Sequence, residues 1–159
     1  MGKHADIERM LRMFRDGEYK IHQLRKEHKY AIEARNEVTG LKTLHFGSNI
    51  RVQGGDRKDP VYETYENEIQ AYDQKAQSAM QTIRCIENLV DQINAALLDL
   101  PKEEEAVIRW KYQERLPEKY ILHKLKKEIN FPVCRAQLYK MMDDACESLK
   151  QIIDNHRQI

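Results

Sequence analysis

Between Tyr62 and Leu97 an apolar side chain recurs at alternating three- and four-residue steps. The series is Tyr62, Tyr65, Ile69, Tyr72, Ala76, Ala79, Ile83, Ile86, Val90, Ile93 and Leu97. Of the regular structures, a helix puts such a series on one side, and its persistence over about five heptads predicts a coiled-coil seam. Asp59 is placed to cap this helix and Pro60 to open it, since proline's missing N–H costs nothing in the first turn. At about 1.5 Å per residue the helix would be roughly 55–60 Å long. It cannot cover its own apolar stripe.

Two coverings are open. One is a first helix from Ala5 to Arg35, with Ile7, Met10, Phe14, Ile21, Leu24, His28, Ala31 and Ile32 at similar steps and Gly17 as a weak point or kink. It could fold back as an antiparallel hairpin. The other is a second copy of the chain. Tyr62, Tyr65 and Tyr72 suit a tight two-stranded seam poorly and favour the hairpin, whereas Ile83 to Leu97 is aliphatic enough to join another subunit. Between the helices lies a long loop, about residues 36–59, with Gly40, Gly47, Gly54 and Gly55. It has no phosphate-loop pattern. Arg51, Arg57 and Lys58 could touch a phosphate backbone, and Leu44, Phe46, Ile50 and Val52 suggest a packed segment or short strand.

From Leu100 the pattern changes to three shorter helices. Pro101 and Glu103 to Glu105 open the first, with Val107, Ile108, Trp110 and Tyr112 apolar. Pro117 and Glu118 open the second, with Ile121, Leu122, Leu125 and Ile129 on one face. Asn130-Phe131-Pro132 breaks the chain. The third starts at Val133 or Cys134 and turns Leu138, Met141 or Met142, Ala145, Leu149 and Ile152 or Ile153 inward. Two short helices, a turn and a longer helix form the order in which helix-turn-helix proteins present a helix to the major groove.

This segment resembles region 4 of sigma-70-type factors, through Leu100, Pro101, Glu104, Glu105, Val107, Ile108, Tyr112, Ile121, Leu125, Leu138, Tyr139, Lys140, Ala145 and Leu149. The layout of the whole chain is similar to the small phage-encoded regulators of the ArpU/RinA type, in which a helical amino-terminal part precedes such a module. The resemblance implies a transcriptional regulator that activates late genes of a phage or prophage, and contact with RNA polymerase.

Charge agrees through its distribution. The chain as a whole has a formal net charge of +1. Between Arg109 and Lys140, however, nine basic residues face three acidic ones, Glu114, Glu118 and Glu128. On a helix-turn-helix frame Arg135, Gln137, Tyr139 and Lys140 are the base-reading set, because arginine can pair with guanine and glutamine with adenine in the major groove. Lys111, Arg115, Lys124, Lys126 and Lys127 are assigned to phosphates. Double-stranded DNA is the expected partner, met by a homodimer joined through the long helices.

Other classes find little support. The six histidines form no metal or catalytic cluster, no serine stands in a nucleophile elbow, and neither enzyme activity, cofactor nor metal is expected. Cys85, Cys134 and Cys146 read as buried or half-buried free thiols of a cytoplasmic protein. No apolar run reaches membrane-spanning length. The expectation is an all-α chain: a helical hairpin or coiled-coil arm over residues 1–99 and a helix-turn-helix domain over 100–159. A small DNA-packaging subunit of the terminase type and a helical adaptor without DNA binding are the competing readings.

Overall fold

A computed structural model describes residues 4–46 and 60–158. Its elements are α1 (Ala5–Phe46), α2 (Pro60–Leu98), α3 (Lys102–Ile108), a π-helical turn (Arg109–Gln113), α4 (Glu118–Glu128) and α5 (Arg135–Arg157). The chain is all-α, with no strand among the described residues.

Helix α1 overruns its expected end by three turns. The heptad steps continue beyond Ala31 through Arg35, Val38, Lys42 and Phe46, and Val38 is buried. Gly40 does not stop the helix. A glycine costs a helix interior only about 1 kcal/mol, less than burial of the neighbouring seam returns. The expected loop therefore loses residues 36–46, and the short strand loses Leu44 and Phe46 to the helix. Leu44 is exposed there, at 85%. The remaining expectations for this segment, Ile50, Val52, Arg51, Arg57, Lys58, the glycines at 47, 54 and 55, and the Asp59 cap, lie outside the described residues.

The chain divides into two compact units, and the division falls inside both long helices rather than near residue 100. One unit spans Tyr19–Cys85 and is an antiparallel helical hairpin. The Lys42 ammonium bonds the Glu66 carboxylate, and seven residues along each helix, in opposite directions, Arg35 Nε lies 2.5 Å from Asp73 Oδ1. The Arg35 contact is off the N–H axis, a charge contact without a hydrogen bond. The Lys42–Glu66 bond raises the lysine pKa and lowers that of the glutamate. At one end of the seam Phe46 meets Tyr62 edge-on, with ring centroids 5.3 Å apart, and Lys42 lies 4.4 Å over the Tyr62 ring. The tyrosines thus occupy the hairpin as expected. Its buried side chains are small: Ala31, Val38, Ala76, Ala79 and Ile83. His28 is half-buried, as its place on the stripe suggested.

The other unit joins residues 4–18 and 86–158 and contains two cores. In the first, Ile7, Leu11 and Phe14 of α1 and Ile93, Ala96, Leu97 and Leu100 at the end of α2 pack with Ile108, Tyr112, Ala145, Leu149 and Ile153. Leu11, rather than Met10, is the fully buried residue of that turn. A Cβ on Gly17 would stand 3.2 Å from Ile86 and 3.3 Å from Val90, so the glycine serves close helix approach. Helix α1 passes through it unbroken. The second core belongs to the three short helices: Val107, Trp110, Ile121, Leu125, Leu138 and Met142.

This burial removes the expected dimer seam. Ile83, Ile86, Ile93 and Leu97 are each at most 3% exposed within the single chain. The cysteine expectation also changes: Cys146 is buried, and burial pushes its thiol up to about 11, but Cys85 and Cys134 are exposed. No helix among the described residues is long and apolar enough to cross a membrane.

Candidate nucleic-acid interface

The three short helices hold their turns by backbone geometry rather than by glycine. After the π-helical turn, Arg115 adopts φ 57°, and after α4, Asn130 adopts φ 56°. Each reversal is closed by a backbone bond reaching back six residues: Leu116 N–H to the Trp110 carbonyl at 2.9 Å, and Phe131 N–H to that of Leu125 at 3.0 Å. Asparagine tolerates the left-handed region well, whereas for arginine it costs about 1–2 kcal/mol. Packing of Trp110 and Leu116 compensates, since both belong to or rest on the second core.

Helix α4 buries Ile121 and Leu125 and turns Lys119, His123, Lys126 and Lys127 outward. Their spacing of i, i+4, i+7 and i+8 places them on one face. None of the three lysines forms an ion pair among the described residues. Helix α5 follows, with Cys134 as its N-cap. Gln137 completes a capping box there: its Oε1 accepts the Cys134 backbone N–H at 3.0 Å. The outward side of α5 begins with Arg135, Ala136 and Lys140 and becomes acidic at Asp143, Asp144 and Glu147. Only its first turn and a half could enter a groove lined by phosphates. That is the part of a recognition helix that usually meets base edges.

The nine basic residues of the window therefore differ in availability. Arg109 is held by Glu105 at 2.9 Å and reaches Asn94 and Gln113, tying α3 to α2. Arg115 pairs with Asp16 of α1 at 3.0 Å. Asp16 itself has its carboxyl held below the ordinary range, chiefly by its hydrogen bond to Arg15. Lys124 lies 5.4 Å over the Trp110 ring and pairs with Glu114 at 3.3 Å. Lys111 lies 5.3 Å from the Tyr112 ring. Of the five sequence-assigned phosphate contacts, Lys126 and Lys127 stand on the outward face, while Lys111, Arg115 and Lys124 are engaged with the protein. Lys119 stands on the same outward face. The signal for it was present in its spacing from His123, Lys126 and Lys127.

The base-reading set also separates. Lys140 is exposed and forms no ion pair among the described residues, and Gln137 spends its carbonyl oxygen on the cap. Arg135 and Tyr139 converge on Glu118, the first residue of α4. Glu118 Oε2 accepts Arg135 Nε–H at 3.0 Å, and Oε1 accepts the Tyr139 hydroxyl at 2.5 Å. The Tyr139 hydrogen bond and then the Arg135 charge hold the Glu118 carboxyl below its ordinary range. Among the described residues there is no cluster of three side chains able to hold a metal ion. Comparison with protein families, curated proteins and solved structures found no match to the chain.

Proposed function

We propose that the chain is a sequence-specific DNA-binding transcriptional regulator that docks α4 on the phosphate backbone and the start of α5 in the major groove. The observation that carries this reading is the outward face of Lys119, His123, Lys126 and Lys127, left without carboxylate partners among the described residues, followed by the non-acidic start of α5, Arg135 to Met142. A helix crossing the backbone needs such a face, because each neutralised phosphate releases condensed counterions. The resemblance to sigma-70 region 4 and to ArpU/RinA-type regulators supports a role in activating late genes of a phage or prophage. A homodimer on two half-sites would have to pair through residues other than Ile83, Ile86, Ile93 and Leu97, which the chain itself covers.

The test is binding to random and promoter-derived duplexes across a salt series. Lys119/Lys126/Lys127→Ala should weaken binding to all sequences and reduce the slope of log K against log salt by about 2–3, at about 0.9 per phosphate contact. Lys124→Ala should leave the slope nearly unchanged. Absence of wild-type binding to any duplex at low salt would falsify the proposal in favour of a helical adaptor.

A further inference from the structure

Glu118 occupies one edge of the Arg135 guanidinium and leaves the other open. The bond to Glu118 is made by Nε, which also lies 3.3 Å from the Tyr139 hydroxyl. Neither Nη atom forms a hydrogen bond among the described residues. The carboxylate bridges the two side chains by accepting from both. Arg135 is the first residue of α5, with a side chain 71% exposed. A long, exposed arginine ordinarily samples many rotamers. Here two groups from two helices restrict it before any partner arrives.

Resting on the DNA-binding reading above, we infer that Glu118 and Tyr139 are positioning residues that aim the paired Nη donors of Arg135 at the O6 and N7 acceptors of one guanine. The fork geometry of guanidinium matches that pair of acceptors. A phosphate also accepts a fork, but the position favours the base: Arg135 opens the groove-facing turn, and Lys119, Lys126 and Lys127 offer phosphate contacts from α4. Tyr139 consequently leaves the base-reading set, since its hydroxyl faces Glu118.

The experiment begins with selection of the preferred duplex by the full chain. Affinities are then measured for that duplex, for a random one, and for versions carrying 7-deazaguanine in place of each guanine. Wild type should lose about tenfold or more at one guanine, from the size of a bidentate contact. Arg135→Ala and Arg135→Lys should be insensitive to that replacement. Glu118→Gln should show two opposed effects, a severalfold smaller preference for that guanine and tighter binding to random DNA, because a negative charge is removed beside the duplex. Tyr139→Phe should lose part of the preference without the second effect. Unchanged circular dichroism melts establish that each variant is folded.

Three outcomes would overturn the inference. If Glu118→Gln keeps the full guanine preference, the ion pair is only a surface contact. If Arg135→Ala lowers the salt slope by about one and leaves base preference intact, the fork addresses phosphate. Wild type that binds no duplex at low salt removes the underlying reading as well, so the two failures are distinguishable.

Discussion

The hairpin over Tyr19–Cys85 and the unit formed by residues 4–18 and 86–158 are both helical, but they are held together differently. The hairpin buries three alanines, one valine and one isoleucine, and relies on a regular heptad register with ion pairs across the seam. The other unit buries leucine, isoleucine, phenylalanine and tryptophan in two cores. Burial of a large aliphatic or aromatic side chain contributes about 1.5–3 kcal/mol, and alanine far less. Exposed ion pairs add only about 0–1 kcal/mol each. Periodicity is therefore a poor guide to stability: the one stripe from Tyr62 to Leu97 supplies mainly alanines to the hairpin core and isoleucine and leucine to the other unit.

Substitutions can break this comparison, and a single tryptophan makes them readable. Trp110, the one tryptophan of the chain, lies in the second core, so its fluorescence reports that unit while far-ultraviolet circular dichroism reports all helices. The largest effect is expected for Leu138→Ala. Leu138 is fully buried, and the change should cost about 2–5 kcal/mol. Fluorescence and dichroism should both shift to lower denaturant; a shift below about 0.5 kcal/mol would contradict the assignment of this core.

Val38→Ala in the hairpin should cost about 1.5 kcal/mol, from the apolar carbons removed. The dichroism transition should move earlier while the fluorescence midpoint stays, giving two non-coincident curves. Coincident shifts of equal size would instead make the two units one cooperative body.

The smallest effect sharpens the contrast in polar burial. Glu104 in α3 has an Oε2 atom without a partner, and burial, assisted by Asp144 and Glu103, raises its pKa. For a raised acid the folded state holds its proton more tightly than the unfolded one. Its stabilising contribution is present below the ordinary glutamate range and is lost as pH rises through the folded value. Glu104→Gln should therefore raise the melting temperature at pH 7 and give a smaller gain, or none, at pH 4. An equal gain at both values would show that ionisation of Glu104 is not the cause.

Much of this architecture was legible in the chain. The Tyr62 to Leu97 stripe, the Pro101 and Pro117 openings and the break at Asn130 all act within one or two turns, where local sterics and periodicity decide. The end of α1 was not legible, because Gly40 and the threonines around it lower local propensity while the contacts that retain them come from Glu66 and Tyr62 on another helix. The candidate interface shows the same limit. Lysines are countable in sequence, but whether Lys124 faces a phosphate or Trp110 depends on how α4 meets the π-helical turn. The pairing of Arg115 was hidden for a related reason, since its partner Asp16 is far away along the chain.

The unit assembled from residues 4–18 and 86–158 has a consequence for how the chain is made. Ile7, Leu11 and Phe14 leave the ribosome long before Ala145, Leu149 and Ile153 exist to cover them. The intervening stretch, Tyr19–Cys85, closes through contacts of its own, Lys42–Glu66 and Arg35–Asp73 among them, that need no residue beyond Cys85. Once closed, it shortens the effective loop between Glu18 and Ile86, whose entropy would otherwise grow with the logarithm of its length. The hairpin is in this sense a splint: its closure brings together the two distant pieces of chain from which the other unit is built.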